Sequence, residues 1–344
     1  MAEPDFQTIH DIGFSSLIQK LSNKSGFARS EVVRGIGDDA SVLKPSGQDR
    51  LILTSSEIFL EGVHFDLVYT PLAHLGFKVV TAGISDILAM NANPVTLTVA
   101  IAVPNKISVG MVEQLYEGMD AACKEYQVQI TGGDTTASHQ ILGISVHATG
   151  WGDAEKIVYR NGASEGDLLC VTGDLGGAMA GLRILLREKQ AWKEMGMGDF
   201  QPELEEYRYV VQRQLMPRAP SAFPEALARC GVLPGSMMDV TKGLMNEVQV
   251  LCDENRTGCE LFAPAVPIAL ETRRVADEMK EDVDRYAFYG GEDFELLFTL
   301  AEGDVEKLKS EFEDFAVIGK LTSRENGIFI QTGEGKQVRP DTFQ

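Results

Sequence analysis

Acidic residues set among glycines and hydroxyls recur along this chain, and they delimit the chemistry it can do. Thr131-Gly132-Gly133-Asp134-Thr135-Thr136 puts one carboxylate between a diglycine and two hydroxyls, a set that can hold a metal ion while a phosphate approaches the backbone. The run lies between β-prone stretches at 126–130 and 141–151, so it is expected as a strand-to-strand connection, although an ordinary hairpin turn uses the same residues. Gly35-Ile36-Gly37-Asp38-Asp39-Ala40 sets two adjacent carboxylates after a flexible Gly-x-Gly. Neighbouring like charges raise each other's cost of ionising, so the pair makes best sense beside a divalent cation, with a solvated turn as the alternative. Asp86 follows Ser85 among the apolar Ile84, Ile87, Leu88 and Met90, either at the edge of a buried face or held for chemistry. Gly290-Gly291-Glu292-Asp293-Phe294-Glu295 joins a diglycine and carboxylates to an apolar strand.

No dinucleotide fingerprint, P-loop, HExxH or GxSxG pattern is present. No serine, histidine or cysteine stands in an activated-nucleophile setting, so no covalent nucleophile is expected, and His64 beside Phe65 reads first as a packed histidine. Carboxylates on several separate loops instead favour a site with several metal ions and a phosphorylated ligand. The 51 acidic against 31 basic residues give a formal charge of −20, which repels nucleic acid and anionic membrane surfaces and makes a polyanionic substrate enter with cations. Five cysteines, odd in number and without a CxxC pair, argue against a disulfide framework or a structural zinc. The first residues lack the features of a signal peptide and no apolar run reads as long enough to span a bilayer, so a cytoplasmic location is expected.

The elements that must position these acids follow from periodicity. The 344-residue length predicts two domains, 1–155 and 156–344. Phe14, Leu17, Ile18 and Leu21 fall at helical spacing, and residues 71–91 and 110–125 read as helices, the second with Leu115, Met119 and Cys123 on a core-facing stripe. Strands are expected at 51–55, 95–103 and 141–151, forming an N-terminal sheet with helices on one face and apolar residues left on the other. Beyond the boundary, a strand at 168–172 runs into Gly173-Asp174-Leu175-Gly176-Gly177, whose glycines suit phosphate binding or, preferably, helix packing, and a helix is expected through Leu186. Residues 188–213 read as a surface excursion followed by a helix, and strand and helix alternate again at 237–240 and 268–280.

Taken in order, Gly37-Asp38-Asp39-Ala40, Glu61-Gly62-Val63-His64-Phe65, Ser85-Asp86-Ile87-Leu88-Ala89-Met90, Gly132-Gly133-Asp134-Thr135, Arg160-Asn161-Gly162-Ala163, Val171-Thr172-Gly173, Asp239-Val240-Thr241 with Gly243-Leu244, and Gly291-Glu292-Asp293-Phe294-Glu295-Leu296-Leu297-Phe298 resemble the thiamine-monophosphate kinase family. The resemblance spans nearly the whole chain. Within the wider superfamily of aminoimidazole ribonucleotide synthetase, two members are disfavoured: there is no early reactive cysteine, as selenophosphate synthetase would need, and no terminal cysteine after Asp341-Thr342-Phe343-Gln344, as the hydrogenase maturation protein would need. The resemblance implies an α/β (α+β) fold of two domains, an N-terminal mixed sheet that closes a barrel with its copy in a homodimer, and a C-terminal α/β domain. It implies ATP as co-substrate, Mg2+ between carboxylates and phosphates, and thiamine monophosphate as acceptor. By matched position, Asp39, Glu57, Asp86 and Asp134 would bind metal. Asp38, Gly133, Asp134, Arg160 and Thr241 would face the nucleotide, and His64, Glu292, Asp293 and Phe294 would border the substrate.

Three positions depart from the family's pattern. Glu57 and Lys242 stand where aspartates are usual, and Gly83 replaces an asparagine. Glutamate keeps the charge one methylene further out, whereas lysine inverts it. Two functions therefore stand side by side: an ATP-dependent kinase making thiamine diphosphate, and a catalytically weakened relative that binds or regulates. A third is a superfamily enzyme acting on another phosphorylated small molecule.

Overall fold

Two β-sheets, separated in sequence by residues 154–167, organise the molecule in a computed structural model that describes residues 29–195 and 204–340 apart from Ser46 and Gln48, together with Pro202 and scattered positions between 12 and 21. Of the helix expected around Phe14, the described positions 12–13, 16–17 and 19–21 are helical, while Phe14 and Ile18 lie outside the described residues. The N-terminal sheet comprises β1 (Val32–Arg34), β2 (Ser41–Leu43), β3 (Arg50–Leu60), β4 (Asn93–Pro104), β5 (Gln129–Ser138) and β6 (Gly143–Asp153), in the order β1-β2-β3-β6-β4-β5. β6 runs antiparallel to both β3 and β4, and β5 runs parallel to β4 at the edge. Such parallel connections need crossover helices. They are α1 (Leu72–Ala89), between β3 and β4, and α2 (Val109–Tyr126), between β4 and β5.

α1 is buried along almost its whole length because both domains close on it: Ser55 Oγ donates to the Gly83 carbonyl on one side, and Lys78 Nζ reaches the Gln214 carbonyl, 3.0 Å away, on the other. A helix apolar all round belongs in such a place. It corrects the expectation that no stretch is long and apolar enough to cross a bilayer, since these 18 residues have a mean hydropathy of 1.3, yet 83% of them are buried inside the fold. Where α1 and α2 cross, Gly76 and Gly118 let the backbones touch, and a Cβ on Gly118 would lie 1.8 Å from the Ala73 carbonyl oxygen.

The acid-bearing stretch around Asp134 is not a loop, as expected, but part of β5. Gly133 is the reason: a Cβ there would sit 1.8 Å from the Val99 carbonyl oxygen, so the glycine serves close strand packing and not a turn.

The second sheet is largely antiparallel. It contains β7 (Leu168–Thr172), β8 (Met237–Val240), β9 (Thr257–Phe262), β10 (Glu295–Leu300), β11 (Phe315–Ser323), β12 (Ile328–Gln331) and β13 (Gln337–Val338), in the order β13-β12-β9-β11-β7-β10-β8. α3 (Gly177–Met195) runs past the Leu186 end expected for it, so part of the supposed surface excursion is helix. α4 (Arg208–Leu215), α5 (Phe223–Cys230) and α6 (Leu244–Asn255) follow. Phe294, just before β10, is 4% exposed and packs into the N-terminal core, tying the two sheets together.

Candidate metal and phosphate site

Three carboxylates from three parts of the chain converge between the sheets. Asp39 precedes β2, Asp86 lies in the last turns of α1, and Asp239 stands in β8; one oxygen from each lies within 4.8 Å of the others. Asp39 and Asp239 are buried, and Asp86 is less enclosed. Arg160 forks onto Asp39, with Nε donating to Oδ2 at 2.9 Å and Nη2 to Oδ1 at 2.7 Å. The Ser85 hydroxyl donates to Asp239 Oδ2 at 2.5 Å, so the serine beside Asp86 serves the acid from the other domain. Asp38 accepts from Arg34 Nε at 3.1 Å and from the Arg160 N–H at 3.3 Å.

Burial pushes the Asp86 carboxyl well above the ordinary carboxylate range, and the charges of Asp239, Asp39 and Glu57 push it further. Burial and Asp39 likewise raise Asp239, and Asp38 is pushed up to about 6 by burial and its neighbour Asp39. Glu57 is raised by burial and pulled back by the Lys242 ammonium. A group of carboxylates that cannot all ionise together is stabilised in its charged form by a cation. The donors are all hard oxygens, so Asp39, Asp86 and Asp239 fit a divalent ion such as Mg2+.

Asp38, Asp39, Asp86 and Arg160 thus come together as expected from the sequence, with Glu57 close enough to act on Asp86. Thr241 lies in the turn after β8, its carbonyl accepting from the Glu292 N–H at 2.9 Å. Asp134 and Gly133 do not join them. Asp134 is level with Ala100 of β4 and, across β4, with Ser145 of β6, on the face away from the helices, and its carboxylate accepts its neighbour Thr135's N–H. Within one chain the other face of the sheet carries the cluster. His64 closes the turn after β3, Nδ1 accepting from the Leu60 N–H at 3.0 Å beside the Phe59 ring. Glu292 pairs with the buried Lys78 at 2.8 Å.

Asp293 is fully buried, its carboxylate accepting from the Gly176 and Ala178 N–H groups where α3 begins, which positions that helix and leaves nothing for a ligand. Phe294 is likewise core. The glycine turn before α3 is therefore occupied by the chain's own carboxylate, in keeping with packing. A cavity of about 650 Å3 opens elsewhere, beside Trp151 and Leu233, and none of the clustered carboxylates lines it.

Two residues escaped the sequence reading. Asp239 belongs to the Asp239-Val240-Thr241 stretch that resembles the family, and an acid near the end of a strand before a Thr-Lys-Gly turn is a signal of the same kind as Gly-Asp-Asp. Glu247, buried in the first turns of α6, accepts the Lys242 N–H at 2.9 Å and faces Arg160 and Asp39, a place only the fold reveals.

Residues 37–153 match AIR synthase related protein, N-terminal domain, and residues 164–331 match AIR synthase related protein, C-terminal domain. The thiamine-monophosphate kinase of Aquifex aeolicus (strain VF5) is 30% identical over 89% of this chain and 90% of its own length. The chain belongs to the thiamine-monophosphate kinase family. The enzyme of that name from Bacillus subtilis (strain 168) is 30% identical over 82% of each chain. Among solved structures, "AaThiL complexed with AMPPCP and TMP" superposes with a TM-score of 0.81 at 27% identity, covering 98% of both chains. The HypE-HypF complex, at 18% identity and a TM-score of 0.69, shares the fold.

Proposed function

We propose that this chain transfers the γ-phosphoryl group of ATP to thiamine monophosphate, forming thiamine diphosphate and ADP. The observation that carries the reading is the convergence of Asp39, Asp86 and Asp239 under the Arg160 fork, in a chain similar over most of its length to kinases of that name. The acceptor is already a phosphate oxygen, so the reaction asks the protein for alignment and charge neutralisation more than for a base. Asp39, Asp86 and Asp239 would hold Mg2+, which when bound neutralises phosphate charge. Arg160, held rigidly by Asp39, presents its remaining N–H groups on the nucleotide side together with Asp38 and the Thr241 turn. Glu292, paired with Lys78, borders the substrate side. Transfer is direct and in line, without a phospho-enzyme. We further propose a homodimer acting in the cytoplasm.

Purified protein incubated with ATP, thiamine monophosphate and Mg2+ is expected to release thiamine diphosphate and ADP in equal amounts, resolved by ion-exchange chromatography. ATP hydrolysis without thiamine diphosphate would reject the acceptor, and 32P retained on denatured protein during turnover would reject direct transfer.

A further inference from the structure

Lys242 occupies the turn between β8 and α6, three residues after Asp239, and this turn is rigid. Its own N–H is spent on Glu247 Oε1, the Thr241 carbonyl accepts from the Glu292 N–H, and a Cβ on Gly291 would lie 2.6 Å from that carbonyl oxygen. The side chain, by contrast, is exposed, and among the described residues its Nζ has no carboxylate within 4 Å and no hydrogen bond. Glu57, across from it on β3, is in the same condition: among the described residues its carboxylate has neither a hydrogen bond nor an ion pair. The Lys242 N–H on Glu247 sets this turn beside the acidic residues, and the ammonium is near enough for its charge to favour the ionised forms of Glu57 and Glu247. Arg34 is held by Asp38 and Arg160 has given Nε and Nη2 to Asp39, whereas the whole Lys242 ammonium is free to meet an anion.

We propose that Lys242 is a tethered cation standing in for a second divalent ion: it balances Glu57 and Glu247, contacts a phosphate oxygen of the bound nucleotide directly, and leaves Asp39, Asp86 and Asp239 as a single metal locus. An ammonium on a flexible stem suits this place, being a compact point charge with three donors that can follow a phosphate. A metal ion beside Glu57 would have to share its oxygens with that ammonium and meet like charge at close range, a repulsion that is strong in a partly buried site. The nucleotide part of the proposal rests on the kinase reading, whereas the metal count does not.

The test uses Mn2+ as probe, counted by electron paramagnetic resonance on nucleotide-free protein, and a non-hydrolysable ATP analogue, titrated calorimetrically with Mn2+ saturating. Wild type should take up one tight Mn2+ per chain and Lys242→Asp a second. Lys242→Gln should keep the single Mn2+ but bind the analogue about ten-fold or more weakly, with Lys242→Arg restoring most of the affinity. Thermal unfolding of each variant near the wild-type temperature verifies the fold, as expected for an exposed position. An unchanged Mn2+ count in Lys242→Asp, or analogue affinity in Lys242→Gln equal to wild type, overturns the proposal. If the Mn2+ and analogue results hold while the wild-type protein does not phosphorylate thiamine monophosphate, the acceptor has been misidentified and the role of Lys242 stands.

Discussion

Asp239 shows at the residue scale how the site trades stability for binding. Its carboxyl is enclosed, faces Asp39 and Asp86, and is raised to about 8 against an ordinary 3.8. A folded-state pKa above the unfolded one means that the folded protein favours the protonated form. The contribution to stability is fully present below about pH 4 and is lost as the pH rises through about 8. Asparagine removes the charge and can still accept the Ser85 hydroxyl. In EDTA, Asp239→Asn should therefore be more stable than wild type to urea, by a margin that grows from pH 5 to pH 8, while losing Mn2+ affinity at every pH. A variant that is less stable than wild type at pH 8 in EDTA would show that the acid is satisfied without a cation. That Asp38, Asp39 and Asp86 would gather followed from the family resemblance; the residues alone said only that adjacent or helix-embedded acids among apolar neighbours are costly unless employed. Asp134 was misread since Gly-Gly-Asp looks the same in a turn, a loop and a glycine-softened strand. Asp293 was misread because nothing local distinguishes an acid facing a ligand from one facing a helix N-terminus 115 residues earlier.

At the scale of elements, the apolar periods placed α1, α2, β4 and β6 within a few residues of where they lie, since each buries a continuous face. Periodicity said nothing of how closely α1 and α2 approach, which glycine determines. Exchanging a helical glycine for alanine favours the helix by about 1 kcal/mol where the surroundings are open. At Gly118 the surroundings are closed, because the new Cβ would meet the Ala73 carbonyl oxygen at 1.8 Å and its carbon at 2.5 Å. Backbone cannot swing aside as a side chain would, so overpacking of about 3 kcal/mol outweighs the propensity gain. Gly118→Ala should accordingly lose about 2 kcal/mol in urea denaturation, and because α1 carries Asp86, Mn2+ affinity should fall with it. Unchanged or increased stability would mean that the two helices separate cheaply.

For the whole molecule the open question is what covers the N-terminal sheet. Its face away from the helices was expected to be apolar, but it carries Thr54, Ser56, Thr98 and His147, with Ser56 Oγ and His147 Nδ1 2.6 Å apart, and only Ile58 and Trp151 as large exposed apolar groups on β3 and β6. An apolar face therefore drives association less than the sequence suggested. The stronger argument is the edge. β5 is ten residues long, exposed from residue 131 to residue 137, and contains neither proline nor lysine, the usual guards of an unpaired strand. Its outer N–H and C=O groups are open to another strand, and pairing with a second copy removes the edge from both chains at once. Sedimentation at micromolar concentration should give a dimer. Thr135 offers a selective probe, because its N–H is turned to the Asp134 carboxylate and not to β4. Thr135→Pro should leave the β4–β5 ladder and the far-ultraviolet circular dichroism intact while putting a ring on the outer edge where a second strand would pair, and should shift the dimer to monomers. A monomeric wild type rejects the dimer outright. A Thr135→Pro protein that folds and still sediments as a dimer moves the seam from β5 to another surface.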